Sequence, residues 1–237
     1  MWNSKIPPEQ FVSAALHLTE GNSISATARL VGLHHDTVER IALVSGPHAT
    51  AFHADRAKGL AVSALQADER YGFVGSKQSP CWEAIVIDPK TKSLVALSLG
   101  RRNEDLIHAL LKEARNRVAQ PQKLVLFTDG EASYKTLFPR IFGIPYRPPR
   151  KHLHGRPPAV RYRIPHSLAH TQVIKHREGR RVVEVEVRLA HGSQKRVDQE
   201  LGTLGYSIAN TSAVERQNGT ARQMTPHMRR KGAAGPD

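Results

Sequence analysis

The chain predicts a mixed α/β protein preceded by a small helical module, and three patterns carry that expectation. Residues 8–46 have helical spacing around a glycine turn, residues 64–99 hold three strand-like runs split by turn residues, and residues 124–127 form a short, wholly apolar run after an amphipathic helix.

The elements follow in order. Pro8 stands at a helix start, and Phe11, Ala14, Ala15 and Leu18 supply one apolar face. Ala28, Gly32 and Val38 then have the spacing of a helix-turn-helix: a small residue for close approach, a glycine for a left-handed turn, a branched residue packed inward. Asp36 with Glu39 three later predicts a capping box for the second helix, and His34, His35, Thr37 and Arg40 are the exposed candidates to meet DNA. Either histidine alone reads better as a solvated helix start. Gly46, Pro47 and the small and polar residues up to 62 predict a linker.

Beyond it, residues 64–74, 82–87 and 94–99 predict an antiparallel meander, with Asp88-Pro89-Lys90-Thr91-Lys92 as a turn. Asn103 caps a helix whose buried face is Leu106, Ile107, Leu110 and Leu111, with Glu104 and Asp105 complementing its dipole. Residues 124–127 predict a strand buried on both faces, and a short helix through Tyr134, Leu137 and Phe138 follows. Residues 139–181 break the pattern: they hold 11 Lys/Arg, one acid (Glu178) and many prolines. That stretch, with Arg147, Arg150 and Lys151, either tracks phosphates or is a solvated basic linker. Residues 182–189 return to strand alternation, with Val183, Val185 and Val187 on one face.

Composition narrows the partners. The 237 residues carry 35 Lys/Arg against 21 acids, a formal charge of +14 and an isoelectric point near 10.3. Such an excess attracts polyanions, and nucleic acid is the expected partner. Cys81 is the single cysteine, which excludes an internal disulfide and any multi-cysteine zinc site. The start lacks the apolar core of a signal peptide and no run approaches the ~18 apolar residues of a membrane span. The expectation is a cytoplasmic, nucleoid-associated protein without a membrane partner.

Three carboxylates stand where such a chain could cut nucleic acid. Asp68 lies on the first strand, Asp129 just after the fourth, and Glu215 in the first turn of a helix. Strand-strand-strand-helix-strand with acids on strands one and four is the opening order of a ribonuclease H-like domain. Phosphodiester chemistry of this kind uses two divalent ions roughly 4 Å apart, and Mg²⁺ takes hard oxygen ligands. Each acid also has a plainer reading. Only one of Asp68 and Glu69 enters a shared site, because neighbouring strand side chains face opposite ways; Asp68 is chosen and Glu69 left on the opposite face. Asp129-Gly130 is also an ordinary turn, and Ser212-x-x-Glu215 is also a capping box.

Residues 66–77, the Phe127-Thr128-Asp129-Gly130 segment and residues 210–218 together resemble the insertion-sequence-one family of bacterial DDE transposases. The likeness spans about residues 60–220. It implies that Asp68, Asp129 and Glu215 are the catalytic and metal-binding residues, holding two Mg²⁺ (or Mn²⁺) ions, with Asn210 and Arg216 as polar residues beside the glutamate. It further implies hydrolysis of a strand at the element end, attack of the freed 3′-hydroxyl on target DNA with no covalent intermediate, and a homo-oligomer on double-stranded DNA. The expected organisation is a helix-turn-helix DNA-binding domain at 1–46, a linker at 47–62, a catalytic domain at 63–222 with a basic insertion around 139–181, and a flexible tail at 223–237. Only 22 residues follow Glu215, where members of that family continue into a longer helical tail. A shortened, non-catalytic DNA-binding protein or regulator of transposition is therefore the alternative. A structure-specific nuclease on the same fold fits less well, because a helix-turn-helix implies sequence-directed docking. Tyr71 and Tyr134 lack the arginine-histidine framework of a tyrosine recombinase and read as packing residues.

Overall fold

The computed structural model describes residues 5–74, 78–149, 157–179 and 181–224. They fall into two compact units. One comprises the chain up to Ala57 with Tyr71–Pro80 and the residues from Asn218 onward; the other comprises Lys58–Arg70 and Cys81–Gln217.

In the first unit, α1 (Pro8–Thr19), α2 (Ile24–Val31) and α3 (His35–Arg56) pack together around Ala14, Ala28, Val38 and Ile41. Ser23 caps α2 by accepting the Ala26 amide at 3.1 Å, and Gly32 ends it at φ +67°, the left-handed conformation its position in the turn requires. The anticipated Asp36 capping box does not form. His34 is the cap, its Nδ1 accepting the Asp36 amide at 3.4 Å, so Asp36 already lies inside the helix. Nor does an irregular linker begin at 47, because α3 continues through Pro47 to Arg56. The proline removes one amide, but the carbonyl it would have bonded belongs to exposed Leu43, which stays open to water.

The second unit is built on a six-stranded mixed sheet. Its strands are β1 (Ala64–Phe73), β2 (Pro80–Ile87), β3 (Leu94–Gly100), β4 (Val125–Thr128), β7 (Ala169–Glu178) and β8 (Arg181–His191), in the order β3-β2-β1-β4-β7-β8. β1 pairs parallel with β4 and β4 parallel with β7; β2–β3 and β7–β8 are antiparallel. That order, with the parallel central strands, is the mixed α/β arrangement of a ribonuclease H-like domain. β5 (Ile144–Tyr146) and β6 (Arg161–Arg163) form a small separate ribbon.

Two layers of core fix the sheet. α4 (Glu104–Arg117), capped as expected by Asn103, and α5 (Ala132–Phe142) cover one face with Leu106, Leu110, Leu111, Tyr134, Phe138 and Phe142. α6 (Gln194–Leu204) covers β1, β4 and β7 from the other side through Val197 and Leu201. α7 (Ser212–Met224) sets Ala213 and Val214 against Ile85 and Ile87 of β2. Within the stretch expected to break pattern lie β5, β6 and the whole of β7. Among the described residues no helix is long and apolar enough to cross a membrane.

Candidate active site

β1 delivers two acids side by side, and their neighbours show which way each faces. Leu65 and Ala67 pack into the core beneath α4 and α5, so Glu69 shares their face. Gln66 faces the opposite way: its Nε2 donates to the Asn210 carbonyl at 2.9 Å and its Oε1 accepts the Val214 amide at 3.0 Å. Asp68 shares the face of Gln66. It is half-buried, and its Oδ1 accepts the Glu69 amide at 2.9 Å.

Gln66 is fully buried and grips both sides of the start of α7, which places Glu215. The predicted alternative for Glu215, a capping box with Ser212, is not formed. The Ser212 amide and hydroxyl instead donate to Asn210 Oδ1 at 3.2 and 2.6 Å. The Glu215 carboxylate is free of capping duty; it accepts the Thr211 hydroxyl and pairs with the ammonium of Lys175 on β7.

Asp129 leaves the end of β4 half-buried, its Oδ1 accepting the Glu131 amide at 3.0 Å. The bend it occupies is held from β7. Gln172 Nε2 donates to the carbonyls of Asp129 and Glu131 at 3.3 and 3.2 Å, and Thr128 Oγ1 lies 3.0 Å from His170 Nε2. A Cβ on Gly130 would stand 3.1 Å from Ile174 Cγ1, so any larger residue after the aspartate would have to push the Ile174 side chain of β7 aside.

A further set of polar residues, not foreseen, adjoins these acids. Glu69 is buried, accepts the Tyr134 hydroxyl, and lies 3.6 Å from Arg102, which also reaches Glu131 at 3.8 Å and stacks over Trp82 at 4.7 Å. Burial is the main cause that pushes the Glu69 carboxyl up to about 7; the Tyr134 hydrogen bond and Arg102 oppose the rise, while Asp129 and Asp68 add to it. Glu69 faces the side of the sheet opposite Asp68, as strand parity predicts, yet the charges of both aspartates raise it. Asp129 is itself raised, first by burial, against the Glu131 amide and Arg102, with Glu131 and Glu215 adding to the rise. Burial, then the Glu69 charge, drives the Tyr134 hydroxyl well above its ordinary value. The sequence signal for this cluster was only a second acid beside Asp68, and strand parity pointed away from it.

The carboxylates therefore share one electrostatic neighbourhood. They do not converge: among the described residues no group of three or more His, Cys, Asp or Glu is arranged to hold a metal ion. The donor set suits a hard divalent cation, and the Lys175 ammonium on Glu215 marks a place where positive charge is already accepted. Lys175 thus already pairs with the carboxylate that such an ion would share with the two aspartates.

Of the expected DNA-binding residues, His34, His35 and Arg40 are exposed, Thr37 is half-buried against expectation, and Arg147 and Arg216 are exposed. Thr37 packs next to Val38, which faces inward from the same turn. Arg150 and Lys151 lie outside the described residues.

No protein-family model matches the chain, and no curated protein matches it either. Among solved structures it is similar to the Mos1 strand transfer complex, at 10% identity and a TM-score of 0.26, over 57% of this chain and 58% of that one. The chain thus spans less than two thirds of the matched structure's length, and at that similarity the fold rests on its own strand order.

Proposed function

We propose that this chain is a DDE-type transposase of a bacterial insertion sequence, cutting element-end DNA and joining it to a target. The observation that carries the reading is the ordered triple: Asp68 on β1, Asp129 at the end of the adjacent parallel strand, and Glu215 at the start of a helix that Gln66 of β1 holds in place. The spacing of those three in sequence resembles the family, and the net charge of +14 suits a DNA partner.

In this reading Asp68, Asp129 and Glu215 would hold Mg²⁺ or Mn²⁺, which supplies Lewis-acid stabilisation of the attacked phosphate and of the oxygens that enter and leave. The chain's own part is positional. Gln66 and Gln172 fix the backbone on either side of the acids, and burial strengthens every charge within them. α2 and α3 act as the helix-turn-helix, presenting His34, His35 and Arg40 to DNA, with Arg216 and Arg147 against phosphates. A cytoplasmic, nucleoid-associated homo-oligomer on element ends completes the proposal.

The test is strand cleavage of element-end duplex by the full chain with Mg²⁺ or Mn²⁺. Asp129→Asn is expected to lower cleavage by at least ~1,000-fold while duplex binding persists; full activity in that variant ends the assignment. A second reading, a non-catalytic DNA-binding regulator, is favoured by the pairing of Glu215 with Lys175 and by the unconverged acids. Metal-independent binding with no cleavage, unchanged by Glu215→Gln, would select it.

A further inference from the structure

A second charged site lies on the helical side of the sheet, built from other residues. α4 turns its apolar residues to the core, which leaves His108, Lys112, Arg115 and Asn116 as a stripe at spacings of four, three and one. Arg140 of α5 and Tyr162 of β6 face the same space, and together these six line a cleft of about 310 Å³. No carboxylate is among its lining residues. Arg140 lies 3.7 Å from Glu104, but both are more than half exposed, so water screens that pair and leaves the arginine available.

The unusual atom is Arg115 Nε. It is buried and has no hydrogen-bond partner among the described residues. Buried donors are almost always satisfied, so the Arg115 guanidinium, which lines this cationic cleft, carries donor capacity that the described residues do not use. A planar fork of donors beside an ammonium suits the oxygens of an oxyanion such as phosphate. From His108 to Arg115 the stripe runs about 10 Å along the helix, longer than one phosphate and suited to successive phosphates of a strand.

We propose that this cleft seats backbone phosphates of duplex DNA, as a positioning surface separate from the acids. The inference rests on the reading that the chain binds DNA. The experiment is fluorescence anisotropy of a labelled duplex of about 25 base pairs with the full chain across a range of KCl. Lys112→Gln/Arg140→Gln removes two exposed cations from the cleft, and Lys123→Gln/Lys195→Gln removes the same charge outside it. For every phosphate that the protein ceases to neutralise, the slope of log affinity against log salt falls by about 0.9. The cleft variant is expected to give up about 1–2 in slope and about tenfold in affinity at roughly 0.1 M salt, with an unchanged melting temperature. Arg115→Lys, which keeps the charge and removes the fork, is expected to weaken binding several-fold. Equal slopes for the cleft and control variants overturn the proposal. So does a cleft that takes a nucleoside monophosphate, read by Arg115→Lys-sensitive ³¹P line broadening, while duplex binding ignores every cleft variant. Failure of the wild-type chain to bind duplex would instead remove the DNA reading itself, and the cleft's role with it.

Discussion

Gln66 shows how one neutral side chain can govern a charged site. Its amide bonds the Asn210 carbonyl just before α7 and the Val214 amide in its first turn, and the side chain is fully buried. Gln66→Leu would keep the volume and orphan both backbone groups, so we expect a loss of about 2–3 kcal/mol in denaturant unfolding. Cleavage should fall further than stability alone explains, because Glu215 loses its mount. A cost under about 0.5 kcal/mol with normal cleavage would show that the clamp is idle. Lys175 acts in the opposite sense, since its ammonium pairs with the carboxylate that a divalent ion would need. Lys175→Met should therefore tighten Mn²⁺ binding by several-fold in electron paramagnetic resonance titrations of DNA-free protein; an equal or weaker affinity would discard the competition. In the sequence, Gln66 is no more than a neighbour of Asp68, and Lys175 is one charge in a basic stretch. Nothing local marks either residue, because both act on a helix some forty or more positions away.

Among the elements, β7 explains why the sequence hid part of the fold. A strand buried over Ala169–Val173 ordinarily reads as apolar, but this one carries His170, Thr171 and Gln172. Two of those side chains are engaged with β4 and its exit: His170 with Thr128, and Gln172 with the carbonyls around Asp129. The polarity that conceals the strand is the polarity that shapes the site. α6 was missed for a related reason. Its inward face includes Glu200, which bonds Ser63 at 2.6 Å and Arg196 at 2.8 Å, so its apolar period shrinks to Val197 and Leu201. The strands β1 to β4 and the helix α4 were legible because apolar residues dominate their buried faces, even where Gln66, Glu69 and Glu83 interrupt them. The buried histidine makes β7 sensitive to acid. Burial, then the neighbouring His191 and Lys135, lower His170 to about 3. An unfolded chain takes that proton near 6.5 while the folded one refuses it. Stability from this source is thus whole above about pH 6.5 and falls toward about pH 3, at up to about 1.4 kcal/mol per pH unit. His170→Gln should flatten that part of the stability profile, whatever it costs at neutral pH. An unaltered slope in urea titrations between about pH 6 and 4 would contradict the assignment.

For the whole molecule, charge is distributed by task. Carboxylates stand midway along β1, just past the end of β4 and at the start of α7, while the cationic stripe of α4 faces elsewhere. The order of acids along the chain was readable because strand-end and helix-start positions leave local marks such as Thr128-Asp129-Gly130. The buried Glu69 and the orphaned Arg115 were not, since their meaning depends on what the fold brings beside them.

The Lys175–Glu215 pair has a consequence for handling the protein. Neighbouring carboxylates repel one another, but here Glu215 carries a tethered counterion in Lys175. Chelation should cost little: we expect the melting temperature of the full chain in EDTA to stay within about 2 °C of its value in buffer alone, and a drop beyond about 5 °C would show that the acids lean on a scavenged metal. In the proposed reading, a divalent ion held by Glu215 would compete with the Lys175 ammonium, and a displaced Lys175 would be free to meet DNA phosphate, so metal occupancy and grip on the substrate would rise together.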